Sequence, residues 1–273
     1  MSYMLAASEE QIAQEWQKYN GYTVRPLPST VDYYRQWFAA LKPQQTCMLY
    51  GGTPEIRTLF QTFHLPVTMI DQSEPMVRAM GSLTESGLPI AANERFIQWN
   101  WLDTHALKNK YDFLIGDDAI NMVSWDDFEL FLQSAARLLN EDGLFVCHLL
   151  VKPDDVLICK TFTEVVREYH CGEIKSHYDL ASKLNFICFD YETYGMGWQH
   201  TIHTIGAERL NRSLTDFNFV KLFGACNSHF YCPPQKEFEN LVERYFFIEE
   251  IFYPHEHDYC LYEPVYILRK KGY

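Results

Sequence analysis

Gly51-Gly52 followed by Thr53-Pro54-Glu55 is a pattern that can seat a ligand. Glycines let a ligand come close to the backbone. A helix that starts at Thr53, with Pro54 in its first position, offers unpaired N–H groups to an anion. Nineteen residues after Gly52, Asp71 closes a short apolar run. A carboxylate there can accept both hydroxyls of a ribose. Asn100-Trp101 follows a third such run and offers a polar side chain and a backbone N–H to an adenine edge. Asp117 and Asp118 follow a fourth, where one of them could hold a substrate amine or act as a base. His148, His200 and His203 are the imidazoles available as general base. His148 stands in an apolar run, so a histidine satisfied within the core is its competing reading. His200 with His203, and His255 with His257, are also pairs of metal-ligand types. Neither pair has a third ligand at a convincing spacing, and no metal is expected. Asp126, Asp127 and Glu129 read as acids stabilising a helix N-terminus and solvating its face.

These residues need a scaffold that gathers them. Residues 8–19 and 30–41 read as helices, the first capped by Ser8. Short apolar runs at 46–50, 67–70, 95–99, 111–115 and 144–151 then read as strands. Helices at about 53–64, from Ser73 to near Gly81, and at 125–139 fall between most of them. Asn140-Glu141-Asp142-Gly143 reads as the turn into the fifth strand. A helix at 234–245 precedes two last strands, at 246–248 and 264–268. Continuous rather than alternating apolar runs fit strands buried on both faces. The pattern predicts an α/β fold: a doubly wound, Rossmann-like, mostly parallel sheet of seven strands. Residues 1–44 would form an amino-terminal helical cap and 45–150 the cofactor-binding core, with 230–273 completing the sheet. Ligands bind beyond the carboxyl ends of the strands in such sheets. The insertion at 151–229 starts at that edge and is expected to cover the substrate. It carries helical stretches at 155–170 and 206–212 around an aromatic segment. Tyr191, Tyr194 and Trp198 in that segment either line an acceptor pocket or form the insertion's own core.

The chain has 273 residues and a formal net charge of −13, and −8 of that falls on residues 1–150. That sign disfavours nucleic acid and anionic membrane surfaces as partners. Hydrophobic residues at 47% supply a full core. Aromatic residues at 16% fill it or line a pocket for a flat or cationic ligand. The eight cysteines include no Cys-x-x-Cys pair and read as reduced, buried thiols of a cytoplasmic protein. Neither a secretory signal nor an apolar run of the ~20 residues a membrane span needs is evident. A G-x-G-x-x-G fingerprint is absent, and Glu55 would repel a diphosphate, which argues against a nicotinamide-dependent oxidoreductase.

Five segments carry a family resemblance: Cys47-Met48-Leu49-Tyr50-Gly51-Gly52-Thr53, Asp71-Gln72-Ser73-Glu74-Pro75-Met76, Asn100-Trp101-Leu102-Asp103, Tyr111-Asp112-Phe113-Leu114-Ile115-Gly116-Asp117 and Leu138-Leu139-Asn140-Glu141-Asp142-Gly143-Leu144-Phe145. In that order they resemble the motifs of the class I S-adenosylmethionine-dependent methyltransferases, over roughly 45–150 and 234–268. The resemblance implies S-adenosyl-L-methionine as cofactor. It places Tyr50, Gly51, Gly52, Asp71, Gln72, Met76, Asn100, Trp101 and Asp117 against it. Asp117, His148 and His200 are then the candidates for proton handling on the acceptor, with Tyr191, Tyr194 and Trp198 around that acceptor. Either register of the first motif keeps one glycine of the usual three, and Asn100 stands where an acid is common. The alternative is therefore a non-catalytic binding or interaction protein on a degenerate methyltransferase fold. No Asn-Pro-Pro-Tyr or Asp-Pro-Pro-Tyr follows the fourth strand, the pattern associated with adenine amino-methylation. With the net charge, this directs the reading to a small-molecule acceptor. The sequence sets no oligomeric state.

Overall fold

A computed structural model describes residues 16, 25–224, 229–257 and 259–272. The helix expected at 8–19 falls outside them except for Trp16, which is helical. The first part of the chain runs α1 (Pro28–Ala40), β1 (Cys47–Tyr50), α2 (Pro54–Thr62), β2 (Val67–Asp71), α3 (Glu74–Gly81), β3 (Glu94–Gln98), β4 (Tyr111–Asp117), α4 (Phe128–Leu138) and β5 (Leu139–His148). The insertion contributes α5 (Asp155–Ile158), α6 (Phe162–His170), α7 (His177–Phe186), β6 (Gly195–Gly197), α8 (Trp198–Ile205), α9 (Ala207–Ser213), α10 (Phe219–Phe223) and β7 (His229–Tyr231). Then come α11 (Gln235–Val242), β8 (Phe246–Phe252) and β9 (Val265–Lys270).

Seven strands form one sheet in the order β3-β2-β1-β4-β5-β9-β8. β1 to β5 pair in parallel, and β9 runs antiparallel to both its neighbours. The expected seven-stranded, mostly parallel α/β sheet is the observed one. Successive side chains of a strand point to opposite faces, and the two cores follow that alternation. Met48, Tyr50, Leu114, Phe145 and Cys147 face α4 and α11, in one cluster with Phe131 and Phe238. Cys47, Leu49, Phe113, Ile115 and Val146 face α1 and α2, in a second cluster with Tyr34, Phe38 and Phe60.

Local chemistry sets the helix starts. α2 carries Pro54 in its first turn, and the Ser73 hydroxyl caps α3 by accepting from Met76 N at 3.3 Å. The two helices are held to β3 by a buried ion pair. Arg57 of α2 donates through Nε and Nη2 to the Glu94 carboxylate at 2.9 and 2.5 Å. Its remaining donors reach the carbonyls of Val77 and Pro89 at 2.6 and 2.8 Å. Four of the five guanidinium N–H donors thus meet acceptors, two of them on a carboxylate, as a buried charge requires.

Four expectations are corrected. Residues 140–143 are assigned to β5 rather than to a turn before it. They bulge from the ladder, because Tyr111 pairs with Leu139 and Phe113 with Leu144, leaving four residues opposite Asp112. Asp112 keeps the bulge attached by accepting from Asn140 Nδ2 at 2.6 Å, and a side chain at Gly143 would come within 2.7 Å of Leu139. The fifth strand ends at His148 rather than at Val151. Residues 155–170 form two helices instead of one, because the chain supplies two N-caps in succession: Asp154, and Thr161 in a capping box with Glu164. The cysteines are not all buried, since Cys159 and Cys171 are exposed; none of the seven described cysteines is in a disulfide.

The insertion has its own core of Phe162, Val165, Leu180, Leu184, Trp198, Leu210, Phe217, Phe219 and Phe223. Its two strands, β6 and β7, pair antiparallel, so its small sheet extends to Tyr231. Asn121, buried after β4, ties it to the main sheet. Its Nδ2 donates to the carbonyls of Leu150 and Tyr231 at 2.7 and 2.6 Å, and its Oδ1 accepts from Leu150 N at 2.9 Å. No described helix is long and apolar enough to cross a membrane.

Candidate active site at the carboxyl edge of the sheet

The strand order reverses between β1 and β4, and their carboxyl ends open the crevice where such sheets bind ligands. Asp71, Gly51, Asp117 and His148 end or follow β2, β1, β4 and β5, so they lie side by side along this edge.

The β1 and β2 end is built from two glycines with different duties. Gly51 has φ +82°, and a Cβ on it would sit 3.7 Å from Asp71 Oδ2 and 4.0 Å from Trp101 Cζ2. The bare backbone of Gly51 therefore faces the carboxylate and the indole. Gly52 serves packing, since a Cβ there would lie 3.2 Å from Val77 Cα of α3. Asp71 Oδ1 accepts from Ser73 N at 2.7 Å. Burial raises its pKa, and the N–H groups of Ser73 and Gln72 oppose that rise. Trp101 donates from Nε1 to Ile70 O at 2.7 Å, which fixes its ring at the end of β2. Asn100 spends its side-chain oxygen on Leu102 N at 3.0 Å and shapes the loop. The Gln72 carbonyl accepts from Gln98 Nε2 at 2.9 Å, and Met76 is half-buried on the first turn of α3. Tyr50 turns its ring into the core against Phe131 and Phe145, which leaves only its backbone at the edge.

Glu55, in the first turn of α2, is held by the amino-terminal part of the chain. Arg25 Nε donates to Glu55 Oε1, as does Trp16 Nε1 at 3.3 Å. Glu55 Oε2 is buried without a hydrogen-bond partner. Burial raises the Glu55 pKa against the pull of Arg25.

The β4 and β5 end is a buried polar cluster. Asp117 Oδ1 accepts from the Tyr34 hydroxyl of α1 at 2.7 Å and lies 2.8 Å from His148 Nδ1. Asp118, at φ 52°, places a carboxylate oxygen 3.6 Å from the same nitrogen. Burial works against a charge on His148, but Asp118 and Asp117 override it and push its pKa up to about 10. Burial raises Asp118, with His148 opposing and Asp117 adding to the rise. Both acids thus favour a charged imidazole from its Nδ1 side, and its Nε2 is buried with no hydrogen-bond partner.

Beyond this cluster lies a cavity of about 10 Å³, room for a single water, between the edge and the insertion, lined by Asp118, Leu150, Asn185, Phe186, Met196 and Trp198 among others. Trp198 lines this cavity and stacks on Phe223 within the insertion's core at 4.3 Å. Tyr194, at φ 53°, packs edge-on to Trp125 and donates to Glu237 at 3.4 Å, outside the cavity lining. Tyr191 is exposed, with the Lys152 ammonium 5.3 Å from its ring centre. His200 is half-buried on α8, beside Asp190 and His229 of the insertion.

Tyr34 and Arg25 join this edge without a local sequence signal, because each meets its partner only through the packing of the amino-terminal segment.

No family model matches the sequence, and no curated protein sequence matches it. Solved structures do match by fold. The CcbJ methyltransferase from Streptomyces caelestis superposes with a TM-score of 0.56 at 12% identity, covering 97% of this chain and 98% of that one. The 1,6-didemethyltoxoflavin-N1-methyltransferase of Burkholderia thailandensis, solved with bound 1,6-didemethyltoxoflavin and S-adenosylhomocysteine, gives 0.52 at 12% identity over 100% and 94%. A provisionally named Zn-dependent alcohol dehydrogenase of Rhodobacter sphaeroides gives 0.57 at 14% identity over 97% and 99%. The chain has the fold of the class I S-adenosylmethionine-dependent methyltransferases.

Proposed function

We propose that this chain binds S-adenosyl-L-methionine at the β1 and β2 end of the edge and methylates a small molecule that enters beneath the insertion. One observation carries the reading: the bare backbone of Gly51 faces both the Asp71 carboxylate and the Trp101 ring. That cradle suits a ribose with an attached aromatic base. Asp71 would accept from the ribose hydroxyls, and the loop of Asn100 and Trp101 would meet the adenine. Arg25 and Glu55 carry the charges that complement a zwitterionic amino-acid end, and each would exchange its partner for the ligand's group. The acidic surroundings suit a cationic ligand better than a diphosphate. When bound, the cofactor supplies an electrophilic methyl group on a sulfonium. The chain's own part is alignment and control of the acceptor's proton. Asp118 reaches the cavity and can take a proton or hold an amine, while Tyr34 and His148 fix Asp117 behind it.

A second reading is favoured by the Arg25–Glu55 pair, in which protein side chains neutralise each other where an amino-acid end would sit. It describes a non-catalytic binding protein on the same fold. Calorimetry with S-adenosylmethionine and S-adenosylhomocysteine tests both readings. Absence of binding at millimolar concentration removes the methyltransferase reading. Release of S-adenosylhomocysteine with any acceptor removes the second.

A further inference from the structure

We propose that His257, Cys260 and Glu263, in the segment between β8 and β9, form a binding site for a divalent cation of the zinc class. The three residues follow one another at intervals of three. Cys260–Tyr262 forms a 3-10 turn. Such a turn has three residues per revolution, so side chains at i and i+3 stack on one side. Beyond the turn the same spacing continues, Cys260 N donating to His257 O at 3.3 Å and Glu263 N to Cys260 O at 3.0 Å, and the local backbone draws the three donors together. Their ligand atoms lie within 4.8 Å of one another. Cys260 Sγ is 3.2 Å from His257 Nδ1, and Glu263 Oε2 is 3.7 Å from His257 Nε2.

The donor set is one thiol, one imidazole and one carboxylate, all ligands that zinc accepts. Cys260 and Glu263 are each 2% exposed, and Glu263 Oε1 is buried with no hydrogen-bond partner. That is an unusual state for a carboxylate oxygen so far from water. Among its charged neighbours, His148 acts on Glu263 most strongly, with Asp118, Asp117 and Glu256 adding negative charge. A divalent cation bound to the Cys260 thiolate, the neutral His257 ring and the Glu263 carboxylate makes the three-ligand set electrically neutral. The thiol proton leaves to solvent on binding. Three protein ligands leave a fourth position for water, and the His257 side chain, 15% exposed, keeps the site in reach of solvent.

Titration of the reduced, metal-free protein with cobalt(II) chloride tests this directly. The expected result is a thiolate-to-cobalt charge-transfer band that saturates at one equivalent and is bleached by zinc chloride. Cys260→Ser should abolish the band, and Glu263→Gln should weaken cobalt binding about tenfold or more. Cys171→Ser, at an exposed cysteine, should leave it unchanged. A wild-type protein with native circular dichroism that shows no band overturns the site, whatever the variants do. So does a band that survives in Cys260→Ser.

Discussion

His148 and Asp117 are register partners on adjacent parallel strands, and His148 Nδ1 lies 2.8 Å from Asp117 Oδ1. Both belong to the side-chain set that faces α1, which is why the Tyr34 hydroxyl reaches the same carboxylate. The charged imidazole is raised from its ordinary value to about 10. A group raised in the folded state stabilises fully below its unfolded pKa, and that contribution fades as pH rises through the folded value. His148→Gln should therefore cost about 3 kcal/mol between pH 5 and 6.5. The difference from wild type should shrink as pH climbs from 6.5 toward 10. Urea denaturation at a series of pH values measures it; a difference independent of pH would show that the imidazole is not held charged.

Asp71 should dominate cofactor affinity. Its loss removes charged hydrogen bonds worth about 1.5–3 kcal/mol in total, so Asp71→Ala should weaken S-adenosylhomocysteine about tenfold to a hundredfold. Isothermal titration calorimetry reads this, and unchanged affinity would place the ribose elsewhere.

Arg25 should matter only to ligands that carry the amino-acid end. Arg25→Ala should weaken S-adenosylhomocysteine by about tenfold and leave adenosine binding unchanged. Equal weakening of both ligands would mean that Arg25 supports the pocket instead of contacting the carboxylate.

The Arg57–Glu94 pair should be the most sensitive structural contact near the site. Both side chains are 0% exposed. Glu94→Ala strands a buried guanidinium and should destabilise the protein by about 3–5 kcal/mol. Thermal unfolding measures the loss; a cost below about 1 kcal/mol would show that water reaches and solvates Arg57.

The strands, most of the helices and the placing of Gly51 and Asp71 at a strand edge were legible in the sequence. Those features depend on short-range patterns: apolar runs, a serine cap, a proline in a first turn, a carboxylate closing a strand. The bulge at 140–143 was misread because its residues are turn formers whether they bulge from a ladder or precede it. The His257, Cys260 and Glu263 spacing stood in the sequence, but its meaning depends on a 3-10 turn that periodicity does not announce. Tertiary structure alone decided that Tyr34 meets Asp117 across 83 residues of chain, that Arg25 reaches Glu55, and that Trp198 lines the cavity while Tyr191 faces solvent. Local sequence sets which way a side chain points from its own strand or helix. Which other side chain waits there depends on how the elements pack, and that is a property of the whole chain.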